Sequence, residues 1–481
     1  MRTYDRQFIG GDWVASTGAQ AIDVISPSTE QVIGRAPEAT ADDVDRAVLA
    51  ARTAFDEGEW PRLTPSRRAE YLTALARAYE PHVSEMATLV TEEMGCPISY
   101  SHIGQAYVGV MIIDSGVKLA AGYPWEELRR GDIADTLVRR MPVGVVAAIV
   151  PWNMPQLGAL TKMVPALLAG CTVVLKPAAE TPVDALRLAE IIEEVGFPTG
   201  VINIVTGGRA VGEHLIRHPD VDKVTFTGSS ETGRHIASVC GEQLKRVSLE
   251  LGGKSAAIVL DDADVAAMTE GLRLASFANS GQAWVAQTRI LASRNNYADI
   301  VDAVAGLASR LRVGDPLDPQ TEIGPLASRR QQQRVEKYIA LGQEEGARLV
   351  VGGSGMPGGL ETGWYVRPTV FADVDNRMRI AQEEIFGPVL SIIPYDDVDD
   401  AVRIANDSRY GLAGTVWTSD ATRGMDIARQ IRTGSIGVNQ YMPDFAAPLG
   451  GWKDSGIGRE GGIEGIDQYV ELQSLLPGRP I

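Results

Sequence analysis

Lys223-Val224-Thr225-Phe226-Thr227-Gly228-Ser229-Ser230-Glu231-Thr232-Gly233 reads as a β-rich run that ends in a glycine-serine turn and passes into a helix. A dinucleotide pyrophosphate needs free backbone N–H groups at the N-terminus of a helix, and a strand-turn-helix junction offers them. Gly228, Ser229 and Gly233 are therefore candidate cofactor-binding positions. The turn is not a GxGxxG fingerprint, and alone it is also consistent with a plain glycine-rich strand-to-helix connection. Its surroundings decide the fold. Short β-rich runs at Val145–Val150, Thr172–Leu175 and Val201–Val205 alternate with helical stretches near 156–169, 183–195, 209–217 and 231–240. That alternation predicts a parallel sheet covered by helices on both faces.

Working outward, residues 40–55 form an amphipathic pattern with Val44, Ala47, Val48, Ala51 and Phe55 on one stripe. Thr40 is the expected N-cap and Asp43 completes a capping box. A second helix begins at Thr64-Pro65, with proline at the first helical position. Beyond residue 250, Gly-Gly, Pro-Thr-Gly and Asp-Pro breaks separate further strands and helices, the pattern of a second α/β unit through 256–450. The polar stretch Trp125–Arg140 stands between structured regions as an extension suited to oligomer contacts.

A net charge of −17 excludes a nucleic-acid surface and an anionic-membrane surface, both of which need clustered Lys and Arg. The longest apolar runs, Val143–Trp152 and Met163–Leu175, are too short to span a bilayer. The N-terminus lacks the apolar stretch of a signal peptide. Cys96, Cys171 and Cys240 are far apart and form no metal-ligand pattern, and the five histidines form no HExxH pair. The expectation is a reduced, metal-free, cytoplasmic protein that acts on a small molecule.

Five further motifs follow in order: Pro151-Trp152-Asn153, Leu175-Lys176-Pro177, Leu249-Glu250-Leu251-Gly252-Gly253-Lys254, Glu383-Glu384-Ile385-Phe386-Gly387-Pro388 and Gly456-Ile457-Gly458-Arg459-Glu460. Together the set resembles the signature of the aldehyde dehydrogenase superfamily, and the resemblance runs from about residue 8 to beyond 470. It implies an α/β fold with a Rossmann-type cofactor domain (1–119 and 141–250), a second α/β catalytic domain (251–450) and a small strand-rich oligomerisation element (120–140 and 451–481). It also implies NAD or NADP as cofactor and a homodimer or homotetramer.

Residue by residue, the resemblance places Lys176 on the adenine ribose, Ser229 and Trp152 on the pyrophosphate, Glu384 on the nicotinamide ribose and Phe386 beside the nicotinamide. Three residues after the lysine, where NAD-preferring relatives often carry glutamate, this chain has Ala179, and Glu180 next door is the candidate substitute. Glu250 takes the place of the general base, Asn153 that of the oxyanion donor, and Lys162 with Glu471 that of a proton-relay pair.

One position departs from the family. Its catalytic loop reads approximately G-Q-x-C-x-x-x-x-R, whereas this chain reads Gly281-Gln282-Ala283-Trp284-Val285-Ala286-Gln287-Thr288-Arg289. In the family a thiolate attacks the aldehyde, the thiohemiacetal is oxidised, and glutamate-activated water hydrolyses the thioester. Indole offers no such nucleophile, only an N–H donor. Met154 and Thr161 fall where many relatives have aromatic tunnel residues, which leaves room for the indole or for a larger substrate. Three readings stay open: a dehydrogenase whose cysteine has been replaced, an enzyme using non-covalent hydride transfer to an imine or activated double bond, and a non-catalytic cofactor-binding or assembly protein.

Overall fold

A computed structural model describes residues 2–476. Residues 477–481 of the expected C-terminal element lie outside the described residues. Alternation along the strands builds the first unit. Val145, Ala147 and Ile149 enter one apolar cluster, while Val146, Ala148 and Val150 enter another on the opposite face. A strand whose successive side chains are both apolar must be covered on both sides. Helices Pro65–Tyr79, Pro155–Ala169 and Val183–Val195 cover one face, and Ala41–Asp56, Arg209–Arg217 and Ser230–Glu242 the other.

The five central strands, Arg246–Glu250, Lys223–Thr227, Val145–Ile149, Thr172–Lys176 and Ile202–Ile204, are parallel, as expected. Both edges differ from an all-parallel sheet. Arg6–Ile9 and Asp12–Ala15 close one edge antiparallel, and Gly456–Ile457 pairs antiparallel with Leu249 and Glu250 at the other. The described part of the segment, 451–476, is therefore divided, with Gly456–Ile457 on this sheet and Val470–Leu475 on a small one.

The second unit repeats the scheme with seven strands, parallel except for Arg348–Val351 at one edge. Ala256 and Ile258 face one cluster and Ala257 and Val259 the other. The expected strand-rich extension is present as a three-stranded antiparallel sheet of Glu126–Arg129, Thr136–Pro142 and Val470–Leu475. No helix among the described residues is long and apolar enough to cross a membrane.

Thr40 and Asp43 form the expected capping box, with Thr40 N donating to Asp43 at 3.0 Å and Asp43 N to Thr40 at 3.2 Å. The helix runs Ala41–Asp56, and its last buried position is Ala54 rather than Phe55, which is half-buried beneath the Arg52 guanidinium. A ring at the end of a helix stripe can be covered by a neighbouring cation, whereas the small Ala54 fits against the Gly200 turn.

Candidate active site

Strand register gathers the site. Ile149 lies opposite Phe226 and Lys176, and Thr227 lies opposite Glu250, so Trp152, Asn153, Lys176, Ser229 and Glu250 all emerge at or just beyond the carboxyl ends of adjacent parallel strands. In open α/β sheets ligands bind outside those ends.

The nucleotide half is built from buried polar groups and close backbone approaches. Burial pulls the Lys176 ammonium down to about 8, against the opposing pull of Glu180 and Glu38. Its Nζ donates only to the Pro177 carbonyl at 3.0 Å, which leaves donors for a ligand. A Cβ at Gly212 would stand 3.5 Å from the Lys176 stem, so the helix Arg209–Arg217 passes close to it. Ser229 caps the helix Ser230–Glu242 by accepting from Thr232 N at 3.3 Å. Gly228 N donates to Glu250 O at 3.0 Å, tying the turn to the base-bearing strand. At Gly233 a Cβ would meet Leu251 at 2.5 Å, so only glycine lets this helix pack so closely.

Glu384 and Phe386 are the residues expected at the nicotinamide end. Glu384 Oε1 accepts from Gly253 N at 2.9 Å, and burial raises its carboxyl to about 7. Phe386, held at φ 67, packs edge-on against Trp152 with ring centroids 5.5 Å apart. Trp152 therefore stands beside the residue expected at the nicotinamide. Buried donors, a helix cap and a buried carboxylate fit a dinucleotide, which when bound would supply the two-electron acceptor.

Glu250 is the expected general base. Burial holds its carboxyl well above the usual range, Glu460 adds to the rise, and Lys162 and Arg459 oppose it. A Cβ on Gly450 would stand 2.6 Å from Glu250 Oε1, so the glycine leaves the carboxylate its space. Lys162 is fully buried and donates to Thr227 Oγ1 at 2.6 Å and to Glu460 Oε1 at 2.5 Å.

This corrects the expected relay pair. Glu471 is not beside Lys162. It lies on the small sheet and pairs with Arg246 at the surface. The signal was available in Gly456-Ile457-Gly458-Arg459-Glu460, but separation along the chain does not show that Gly456 pairs with Glu250 and carries Glu460 inward.

Asn153 is buried, and its position is fixed twice. Gln105 Nε2 and Asn279 Nδ2 donate to its carbonyl at 2.8 and 2.9 Å. Gln105 lies in a π-helical stretch, Ser101–Tyr107, a geometry that often re-aims side chains at functional sites. Neither residue was evident in the sequence. The Asn153 amide donates to Gln282 O at 2.9 Å, which leaves one N–H for a substrate oxygen.

Trp284 is half-buried on a loop held at both ends. Asn279, Ser280 and Gly281 all have positive φ, and a Cβ on Gly281 would meet the Gly387 backbone at 2.5 Å. On the far side, Arg289 donates to Lys254 O, Asn376 Oδ1 and the carbonyls of Ile404 and Ala405, each at 2.9 Å. The Trp284 carbonyl lies so close to Gly253 that a Cβ there would be 2.4 Å away. The five residues Glu250–Lys254 thus touch the base environment, Glu384, Trp284 and Arg289 in turn.

All three cysteines are buried. Burial pushes Cys96 up to about 12 and Cys171 to about 11, and raises Cys240. None lies in the loop Gly281–Arg289. No group of metal ligands occurs among the described residues.

Comparison with known proteins agrees with this geometry. Residues 13–475 match the aldehyde dehydrogenase family. The chain is 48% identical over 476 residues to geranial dehydrogenase of Castellaniella defragrans, covering 98% of this chain and 99% of that one. It superposes on a Mycobacterium tuberculosis aldehyde dehydrogenase complexed with NAD+ at a TM-score of 0.98, with 49% identity and complete coverage of both chains. A Pseudomonas syringae aldehyde dehydrogenase variant in complex with NAD+ and octanal gives a TM-score of 0.95 at 40% identity, covering 98% and 96% of the two chains. The chain belongs to the aldehyde dehydrogenase family, a class of NAD(P)-dependent oxidoreductases.

Proposed function

We propose that this protein binds NAD and an aldehyde in the cleft defined by Lys176, Glu384, Asn153 and Glu250, and that Trp284 closes the thioester route its relatives use. One observation carries the reading: an indole stands at the nucleophile position of a loop whose supports and neighbouring proton-handling groups are otherwise complete. NAD is favoured over NADP because Glu180 and Glu38 flank the Lys176 ammonium, where a 2′-phosphate would meet like charge. The small antiparallel sheet supports assembly into a homodimer or homotetramer, and the acidic composition suits the cytoplasm.

In this reading Asn153 orients the carbonyl oxygen with its free N–H. Glu250 takes a proton, and Glu460 with Lys162 carries it away. The raised carboxyl of Glu250 makes it the stronger base once ionised. The same intact base supports a second reading, non-covalent reduction or oxidation at an imine or activated double bond.

The test is nicotinamide absorbance with the native protein and Trp284→Cys on aldehydes and imines. Turnover of aldehydes only in the variant supports the first reading, and turnover by the native chain supports the second. Failure of NAD+ to bind either protein in calorimetry overturns both.

A further inference from the structure

Lys254 ends the segment Glu250–Lys254 and leads into the strand Ser255–Val259, with Glu384 and Glu383 among the charges that act on its ammonium. Its ammonium is fully buried and has no hydrogen-bond partner among the described residues. It borders a cavity of about 20 Å³ whose walls also include Ser255, Arg289, Leu412, Arg432 and Thr433. Ser255 Oγ and Thr433 Oγ1 are likewise buried without partners among the described residues. Three donors therefore lack acceptors around one small space.

The charged residues in the walls of that space, Lys254, Arg289 and Arg432, are all cations. No carboxylate lines the cavity. The Arg289 guanidinium bonds only to neutral oxygens. Lys453, close enough to Arg289 and Arg432 to be depressed by both, donates only to the carbonyls of Asn406 and Ser408. Glu384 and Asp407 act from beyond the walls, on Lys254 and Arg289 respectively. A buried cation without a counter-charge is strongly unfavourable, and hydroxyls beside it have no acceptor to satisfy them.

We propose that this cavity is a binding site for one small inorganic monoanion of halide size, held by the Lys254 ammonium and the Ser255 and Thr433 hydroxyls. Size sets the class. A water-sized species needs roughly 10–15 Å³, so the space takes one or two such species and excludes phosphate, sulfate and nucleotides. Chemistry sets the sign, because the orphaned ammonium can only donate, the two hydroxyls can turn their protons towards an anion, and the charged wall residues are cations. The site is separate from the proposed reaction and is tested without turnover.

The experiment uses the whole native protein, exchanged into potassium gluconate and titrated with sodium bromide at constant ionic strength. Melting temperature is followed by calorimetry, and bromide-soaked crystals are measured at the bromine edge. The expected result is a saturable rise in melting temperature and an anomalous peak within hydrogen-bonding reach of Lys254 Nζ. Thr433→Val should raise the half-saturating bromide concentration about fivefold or more, since one hydrogen bond to a charged group is lost. Lys254→Met should abolish saturation, and if that variant does not fold, Thr433→Val and the anomalous map decide. Ordered water alone in the cavity, or a non-saturating rise equal in native and Thr433→Val proteins, would overturn the proposal.

Discussion

Lys162 Nζ reaches Glu460 Oε1 at 2.5 Å in a fully buried position, and Glu460 raises the neighbouring Glu250 carboxyl. The pair joins a helix of the first unit to a turn 298 residues further along the chain. In the proposed reaction it would give Glu250 a path for its proton that Glu471, salt-bridged to Arg246 at the surface, does not offer. In a Trp284→Cys background, Glu460→Gln should lower kcat by about 10–100-fold. Glu471→Gln should change it by less than about twofold, because exposed ion pairs contribute little. Steady-state kinetics of the two variants checks the assignment.

Restoring the thiol should change reactivity as well as rate. Native protein, with its cysteines buried and their thiols raised, should resist iodoacetamide, whereas Trp284→Cys should take up one equivalent per chain. Mass spectrometry reads this directly. Aldehyde oxidation should rise together with labelling competence by several orders of magnitude, on the order of the millionfold cost of deleting a covalent nucleophile. Rapid labelling of the native chain would show that a buried cysteine is accessible after all.

Affinity for NAD+ should depend on pH through Glu384. Its carboxyl is raised to about 7, and only the ionised form accepts hydrogen bonds from ribose hydroxyls at both oxygens. Binding should therefore strengthen by ~tenfold between pH 6 and pH 8. Glu384→Gln should bind more weakly and lose the pH dependence, as measured by calorimetry.

A second pH effect concerns stability. Glu93 and Asp184 are a buried carboxyl pair: burial raises Asp184 to about 7 and holds Glu93 well above its usual range. Below about pH 4 both folded and unfolded chains carry these protons. Between about 4 and 7 the unfolded chain releases protons that the folded chain retains, so stability falls as pH rises, and it levels off above that window. The melting-temperature advantage of the native protein over Asp184→Asn should shrink by a few °C between pH 5 and pH 8. Calorimetry at both values checks the sign.

Much of the fold was legible because its signals are local. Thr40 and Asp43 cap a helix within four residues of chain, and Val145–Val150 shows its two buried faces through apolar residues at successive positions. The edges of the sheets were not legible. Gly456–Ile457 is too short to carry a pattern, and it becomes a strand only because Leu249 and Glu250 offer an unpaired edge. Phe55 and Ala54 traded places for a similar reason, since the neighbour that covers the ring is set by packing.

The sequence by itself determined the two α/β units, the order of the motifs along the chain, and the presence of Trp284 in the loop Gly281–Arg289. Each of these is a matter of residue identity and short-range spacing. Only the tertiary structure decided that Glu460 rather than Glu471 faces Lys162, that Gln105 and Asn279 hold Asn153, and that Lys254 borders a cavity with unpaired donors. Those relationships join segments tens to hundreds of residues apart. They follow from strand pairing and burial, which place groups in space without leaving a local pattern in the chain.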